Sequence, residues 1–258
     1  MNKLSVYIIA YNNEDRIDEA LNSVAWADEI VVADSHSSDR TAEIARRYTD
    51  KVVQIDFQGF GKLRNAALGH CSHEWIFSLD TDERCTAQVK QEILQIINDP
   101  HAVDAYFIPR RNFFMGRWIR HSGWYPDYRQ PQLFRKRRMR YTEDVVHEGY
   151  ILDGRCAHLK GALWQMPFRD LSEIIAKMDR YSTLGAQKLL DKGAPGSMTK
   201  ALFHGVWVFI RLYVFRLGFL DGWAGFIIAL GNFEGTFYRY AKLTEMKERW
   251  NERKPPLQ

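Results

Sequence analysis

The sequence predicts an α/β protein with a mostly parallel central sheet, helices on both faces and a helical C-terminal extension. Three observations predict it. Over the first hundred residues, short β-branched runs alternate with polar turns and helically spaced apolar residues. After Arg110 that alternation stops. From residue 170 to 247 the apolar spacing is helical, broken in two by Gly193-Ala194-Pro195-Gly196.

The expected strands are residues 4–9, 29–33, 51–55 and 75–79, with a fifth at 105–108. Between them Ile17, Ala20, Leu21 and Val24 share one helical face, as do Ile44, Ala45 and Tyr48, and then Val89, Ile93, Leu94 and Ile97. Ser37-Ser38-Asp39 and Thr86 supply capping signals before the second and fourth of these helices. The third starts at the Gly59-Phe60-Gly61 turn. The boundary between sheet and helical extension is expected at 160, giving regions 1–160 and 161–258.

With 258 residues, 46% hydrophobic and 14% aromatic, the chain can bury one large core or one core with an appended subdomain. A net charge of +4 with 26% charged residues argues against disorder and against dense neutralisation of nucleic acid, so no nucleic-acid partner is expected. Cys71, Cys85 and Cys156 lack paired spacing; neither a disulfide framework nor a zinc site is expected, which fits a reducing compartment. The first apolar run meets Asn12, Asn13, Glu14 and Asp15 too soon for a signal peptide and reads as a strand. Arg211, Arg216 and Asp221 interrupt the apolar stretch 201–233, so no spanning helix is expected.

Parallel sheets bind ligands at the carboxyl ends of their strands, so the turns there are the place to look for function. After the fourth strand comes Asp80-Thr81-Asp82, with Glu83 next. Crowded carboxylates repel unless a cation offsets them, and hard oxygen ligands on a short turn suit Mg²⁺ or Mn²⁺. A solvated acidic turn is the alternative. After the first strand, Tyr11 can flank a base; after the second, Asp34 can accept hydrogen bonds from a base edge or ribose, or simply organise the turn. The glycines at 59 and 61 lead into a helix start bearing Lys62 and Arg64, suited to phosphate or else a basic solvated face.

Taken in order, Ser5-Val6-Tyr7-Ile8-Ile9-Ala10-Tyr11-Asn12, Val31-Val32-Ala33-Asp34-Ser35, Arg64-Asn65 and Leu79-Asp80-Thr81-Asp82-Glu83 resemble the motifs of family 2 inverting glycosyltransferases with the GT-A (Rossmann-like) fold. The resemblance covers about residues 3 to 150 and implies a nucleotide-sugar-binding and catalytic domain. It implies that Tyr11, Asn12, Glu14 and Asp34 bind the nucleoside, that Arg64 and Asp80 contact the nucleotide sugar with Lys62 beside them, and that Asp82 ligates the metal under the diphosphate. Glu148 matches the position of the base, with Asp144 as second candidate. His147 either joins the metal shell or the phosphate contacts, or makes a structural hydrogen bond.

Further on, Trp124-Tyr125-Pro126-Asp127, Gln132-Leu133-Phe134-Arg135, Val146-His147-Glu148 and Gly218-Phe219-Leu220-Asp221-Gly222 are similar to bacterial enzymes that add glucose to a heptose of the lipopolysaccharide inner core. That likeness implies a UDP-glucose donor and a saccharide-lipid acceptor met in the cytoplasm, at the inner face of the inner membrane. Arg110, Arg111, Arg117 and Arg120 with the basic run 135–140 suit a phosphorylated acceptor or an anionic membrane, or else a solvated face, and the aromatic stretch 203–216 suits the membrane interface, or else a core or dimer helix. Two other readings compete. An Asp-x-Asp phosphatase wants Thr or Val where Arg84 stands, and a non-catalytic nucleotide-sugar or membrane-binding module would not need Glu148.

Overall fold

The structure is a computed structural model that describes residues 2–143, 149–248 and 250. In chain order the elements are β1 (Leu4–Ala10), α1 (Ile17–Val24), β2 (Glu29–Asp34), α2 (Thr41–Ala45), β3 (Val52–Gln54), α3 (Phe60–His70), β4 (Trp75–Asp80), β5 (Glu83–Arg84), α4 (Ala87–Asn98), β6 (Ala105–Phe107), β7 (Arg110–Phe114) and β8 (Arg117–Trp118). Then come β9 (Leu133–Arg135), β10 (Met139–Tyr141), β11 (Tyr150–Leu152), β12 (Cys156–His158), β13 (Leu163–Gln165), α5 (Leu171–Asp191), α6 (Met198–Ile210) and α7 (Gly222–Glu248). They form two compact units, residues 1–111 with 126–166 and residues 112–125 with 167–258. The cut thus falls at 166, and the second unit takes in a short excursion that the sequence pattern placed with the first.

The first unit is a seven-stranded sheet in the order β12-β6-β9-β4-β1-β2-β3. At its centre β1 runs parallel to β2, with Ile8 opposite Val32, and parallel to β4, with Ile8 opposite Leu79. Every β1 residue is buried, because side chains alternate between two covered faces. Leu4, Val6 and Ile8 pack with Leu21 of α1 and with Val89 and Ile93 of α4. Tyr7 and Ile9 pack on the other face with Leu63 and Ala67 of α3 and with Met139 and Tyr141 of β10.

The expected fifth strand exists as β6, but it does not lie beside β4. The short β9 separates them, antiparallel to both, with Phe134 opposite Ile76 and Ala105. The chain leaves the sheet after β6 for the excursion 112–125 and returns in the opposite direction, which is how an antiparallel strand enters a parallel sheet. Thr86 caps α4, its hydroxyl accepting from Val89 N–H at 3.3 Å. All three cysteines are free; burial pushes the Cys71 and Cys85 thiols up to about 12, while Cys156 is exposed.

In the second unit α7 packs on both α5 and α6. The β7–β8 hairpin pairs Phe114 with Arg117, and Phe114 and Ile119 join Ala224 and Ile228 of α7 in a small core. Asp221 ends a 3₁₀ turn, Gly218–Asp221, and its buried carboxylate accepts from the backbone N–H groups of Arg120 and His121 at 3.2 and 2.9 Å. The aspartate of the Gly218-Phe219-Leu220-Asp221-Gly222 motif therefore fastens this turn to the tail of the hairpin.

Candidate active site

The turns after β1 and β2 are built against each other. Asn12 adopts a left-handed backbone (φ 50°), which an asparagine tolerates better than most residues. Its N–H donates to Ser37 Oγ at 2.9 Å, and its side-chain oxygen accepts from Ser38 N–H at 2.8 Å. Glu14 accepts from Arg40 N–H at 3.1 Å, and Glu14 N–H donates to Asp39 at the same distance. Asp34 is fully buried; its carboxylate accepts from the Ser37 hydroxyl, from Ser37 N–H at 3.1 Å and from Gln54 Nε2 at 2.8 Å. Tyr11 projects from the same rim and is exposed.

At the end of β4 the acidic residues separate by environment. Arg64, buried on α3, donates to Ser78 Oγ at 3.2 Å and to Asp80 Oδ1 at 2.9 Å, and its guanidinium lies over the Tyr141 ring at 5.6 Å. Burial pushes the Asp80 carboxyl up, but the charge of Arg64, joined by that of Arg110, more than reverses it and holds Asp80 below its ordinary value. Glu83 is buried against Arg110 and also accepts from Gln132 Nε2 and from Asp80 N–H, at 2.9 and 3.0 Å.

Asp82 differs. Among the described residues no lysine or arginine forms an ion pair with it, and its Oδ2 accepts from Gln165 Nε2 at 3.1 Å. Burial, then the charges of Asp80 and Glu83, push its carboxyl up to about 6. Arg84 stitches the turn from beneath, donating to the carbonyls of Thr81, Glu83 and Arg16 and to Glu19. Among the described residues no three His, Cys, Asp or Glu side chains cluster as a metal cage.

The third turn gives α3 a double task. Lys62 points to solvent near Gln58, whereas Arg64 points inward to Asp80. Asn65 does what the sequence does not announce: its amide donates to Tyr141 O and accepts from Tyr141 N–H, both at 2.9 Å, imitating a strand partner for β10. A Cβ at Gly61 would lie 1.9 Å from Thr142 O, so only glycine lets the helix approach there. Thr142 N–H donates to Gly149 O at 3.0 Å, fixing both flanks of residues 144–148. Asp144, His147 and Glu148 themselves lie outside the described residues.

The structure thus brings Arg64, Asp80 and Asp82 together at one strand end and sets Tyr11, Asn12, Glu14 and Asp34 on the neighbouring turns. Sequence reasoning passed over Ser78, Tyr141 and Gln165 and met Gln132 only as part of the Gln132-Leu133-Phe134-Arg135 motif. Gln165 is buried, and its Oε1 has no hydrogen-bond partner among the described residues. Its adjacency to Asp82 arises from antiparallel pairing of β13 with β5, where Gln165 lies opposite Glu83.

An arginine-backed Asp-x-Asp turn at the carboxyl end of an open, mostly parallel sheet is the arrangement of a GT-A glycosyltransferase. The model of Glycosyl transferase family 2 matches residues 5–152, and the chain belongs to that family. It is similar to the lipopolysaccharide core biosynthesis glycosyltransferase LpsC of Rhizobium meliloti (strain 1021), 29% identical over 93% of this chain and 91% of that protein. It is also similar to an uncharacterized glycosyltransferase of Rickettsia typhi (strain ATCC VR-144 / Wilmington), 26% identical over 95% of this chain and 88% of that one. Among solved structures, S. aureus TarS 1-349 in complex with UDP-GlcNAc aligns at a TM-score of 0.49 and 19% identity, covering 96% of this chain and 92% of that one.

Proposed function

We propose that this glycosyltransferase moves glucose, with inversion, from UDP-glucose to a heptose of the lipopolysaccharide inner core, at the cytoplasmic face of the inner membrane and with Mg²⁺ or Mn²⁺. The observation that carries the reading is the division of roles at the β4 turn. Asp80 is already neutralised by Arg64, which leaves Asp82 as the carboxylate in want of a cation. The likeness to LpsC over nearly the whole chain supports the acceptor class.

The residues present fit a divalent ion of this kind. A hard carboxylate oxygen, with Gln165 orienting its twin, matches the habit of Mg²⁺ to take one or two carboxylates and fill its shell from water and substrate phosphate. His147 is the second candidate ligand. When bound, the ion supplies Lewis-acid stabilisation of the departing diphosphate. Tyr11, Asn12, Glu14 and Asp34 meet the nucleoside, Asp80 the sugar-nucleotide, and Arg64 and Lys62 the phosphates. Glu148 takes the proton of the attacking hydroxyl as that oxygen bonds to the anomeric carbon, with Asp144 as the second candidate.

A thermal-shift panel of nucleotide sugars with and without Mn²⁺, followed by transfer assays on heptose-terminated lipopolysaccharide, tests this reading. UDP-glucose should raise the melting temperature more in Mn²⁺ than in EDTA, and Asp82→Ala should erase the difference. Glu148→Gln should lose transfer and keep donor binding; retained turnover would move the base to Asp144. Equal shifts with and without the ion would end the metal role. A larger shift with another nucleotide sugar would replace glucose.

A further inference from the structure

The helix α6 is built the wrong way round for water. Its buried residues are the small ones, Ala201 and Gly205, and a Cβ at Gly205 would come within 2.9 Å of the Phe233 ring of α7. Its large residues face out. Phe203 is 69% and Trp207 55% exposed, and the surface continues through Phe215 at 65% to Trp223 at 76%. Only 11% of the stretch Met198–Phe215 is buried, although it is long and apolar enough by composition to cross a membrane. A surface helix of a water-soluble unit normally shows the opposite pattern.

The patch is continuous and carries one sign of charge. Ring contacts link Trp207 to Phe215, Phe209 to Tyr213, Tyr213 to Phe219, and Phe226 to Trp223, at 5.4 to 6.3 Å between centroids. Between residues 197 and 223 the only acidic side chain is Asp221, which is buried, while Lys200, Arg211 and Arg216 are exposed. Exposed Arg117 and Arg120 on the hairpin segment of the same unit add to the positive side.

Length and termination favour lying flat over crossing. At the rise of an α-helix, 18 residues extend roughly 27 Å, at the lower limit of what spans the ~30 Å hydrocarbon core. Its last five residues, Arg211–Phe215, widen into a π-helical turn, and the chain reverses at Leu217 (φ 54°). Ser122 N–H donates to Arg216 O at 2.9 Å and holds that end to the hairpin's tail.

We infer that α6, the turns after it and the start of α7 form a monolayer-docking surface that inserts Phe203, Trp207, Phe215 and Trp223 among the acyl chains of an anionic membrane, with Arg211 and Arg216 on the lipid headgroups. The inference names the membrane partner of the proposed function but rests on the second unit's surface alone, so vesicle binding and sugar transfer can fail separately.

The test is co-sedimentation of the full chain with vesicles of phosphatidylcholine alone and with added phosphatidylglycerol. The wild type should bind the anionic vesicles, and brominated lipid should quench its tryptophan fluorescence. Phe203→Glu/Trp207→Glu should weaken binding at least about tenfold. Arg211→Gln and Arg216→Gln should each weaken it roughly fivefold on anionic vesicles only. Circular dichroism and the UDP-glucose thermal shift of each variant should match the wild type. Trp207→Ser serves as the milder change if the double variant misfolds, with a smaller loss in the same direction. Wild-type protein that binds neither vesicle overturns the inference, as does undiminished binding by the folded variants. A concentration-dependent dimer in sedimentation velocity that Trp207→Glu dissolves would assign the face to a second copy instead.

Discussion

Arg64 and Arg110 show how the acidic turn is tolerated. Each guanidinium answers one carboxylate, Arg64 taking Asp80 and Arg110 taking Glu83, so the crowding visible in the sequence is largely resolved inside the fold. Removing one partner of a buried pair strands the other charge. Arg110→Met should therefore cost about 3–5 kcal/mol in urea denaturation. Glu83→Leu/Arg110→Met should cost less than the sum of the two single changes, because the double variant strands no charge. The triplet was legible as a cation-seeking turn, but the different fates of its members were not. Which carboxylate is neutralised depends on an arginine 16 residues upstream, brought there by helix packing. Asn65 and Gln165 were invisible for a related reason: an amide side chain has no periodic signature, and the Asn65 partner lies 76 residues away.

At the level of elements, the parallel strands and helices α1 and α4 were readable because both faces of the sheet are covered and each of those helices carries a 3.6-residue apolar stripe, whereas the inner face of α3 includes Gly61 and Arg64. The antiparallel β9 was not readable as a neighbour of β4. Three residues are too few for periodicity, and its pairing is decided by where the chain returns from its excursion. An added Cβ at Gly61 would meet the Thr142 carbonyl at 1.9 Å, so Gly61→Ala should cost about 2 kcal/mol or more and lower transfer through the displaced flank of 144–148. Melting temperature and turnover of that variant check it.

Glu29 makes a second test at this scale. It joins Ser5 of β1, Lys51 before β3 and the Ser72 N–H before β4, the last at 2.6 Å. Burial would raise its carboxyl, yet the hydrogen bonds from Lys51, Ser5 and Ser72 hold it at about 2, against an ordinary 4.5. A folded-state value below the unfolded one adds stability that is complete above pH 4.5 and fades as pH falls toward 2. With Lys51 half in solvent, Glu29→Gln should cost about 1–2 kcal/mol at pH 7, and the gap between variant and wild type should narrow in urea titrations at pH 4 and pH 3.

For the whole molecule, donor binding is read as stability. The proposed donor, UDP-glucose, at a hundred times its dissociation constant should add about 2.7 kcal/mol to the native state, a shift of about 5–10 °C for a chain of this size. A nucleotide sugar that gives no shift at saturating concentration is not the donor. Composition allowed one large core or a core with an appended subdomain, but it did not show that α6 buries Ala201 and Gly205 and turns Phe203 and Trp207 outward, since a sequence lists side chains without saying which helix face meets its neighbour. The three free thiols carry a practical consequence. Those of Cys71 and Cys85 ionise only near pH 12, so at neutral pH almost none of either is the thiolate that attacks a maleimide. Cys156 stands exposed on β12. A spectroscopic label added to the unaltered chain should therefore go to that one position, with no cysteine-free background to engineer first, and a mass increase of two labels at pH 7 would show that a buried thiol opens to solvent.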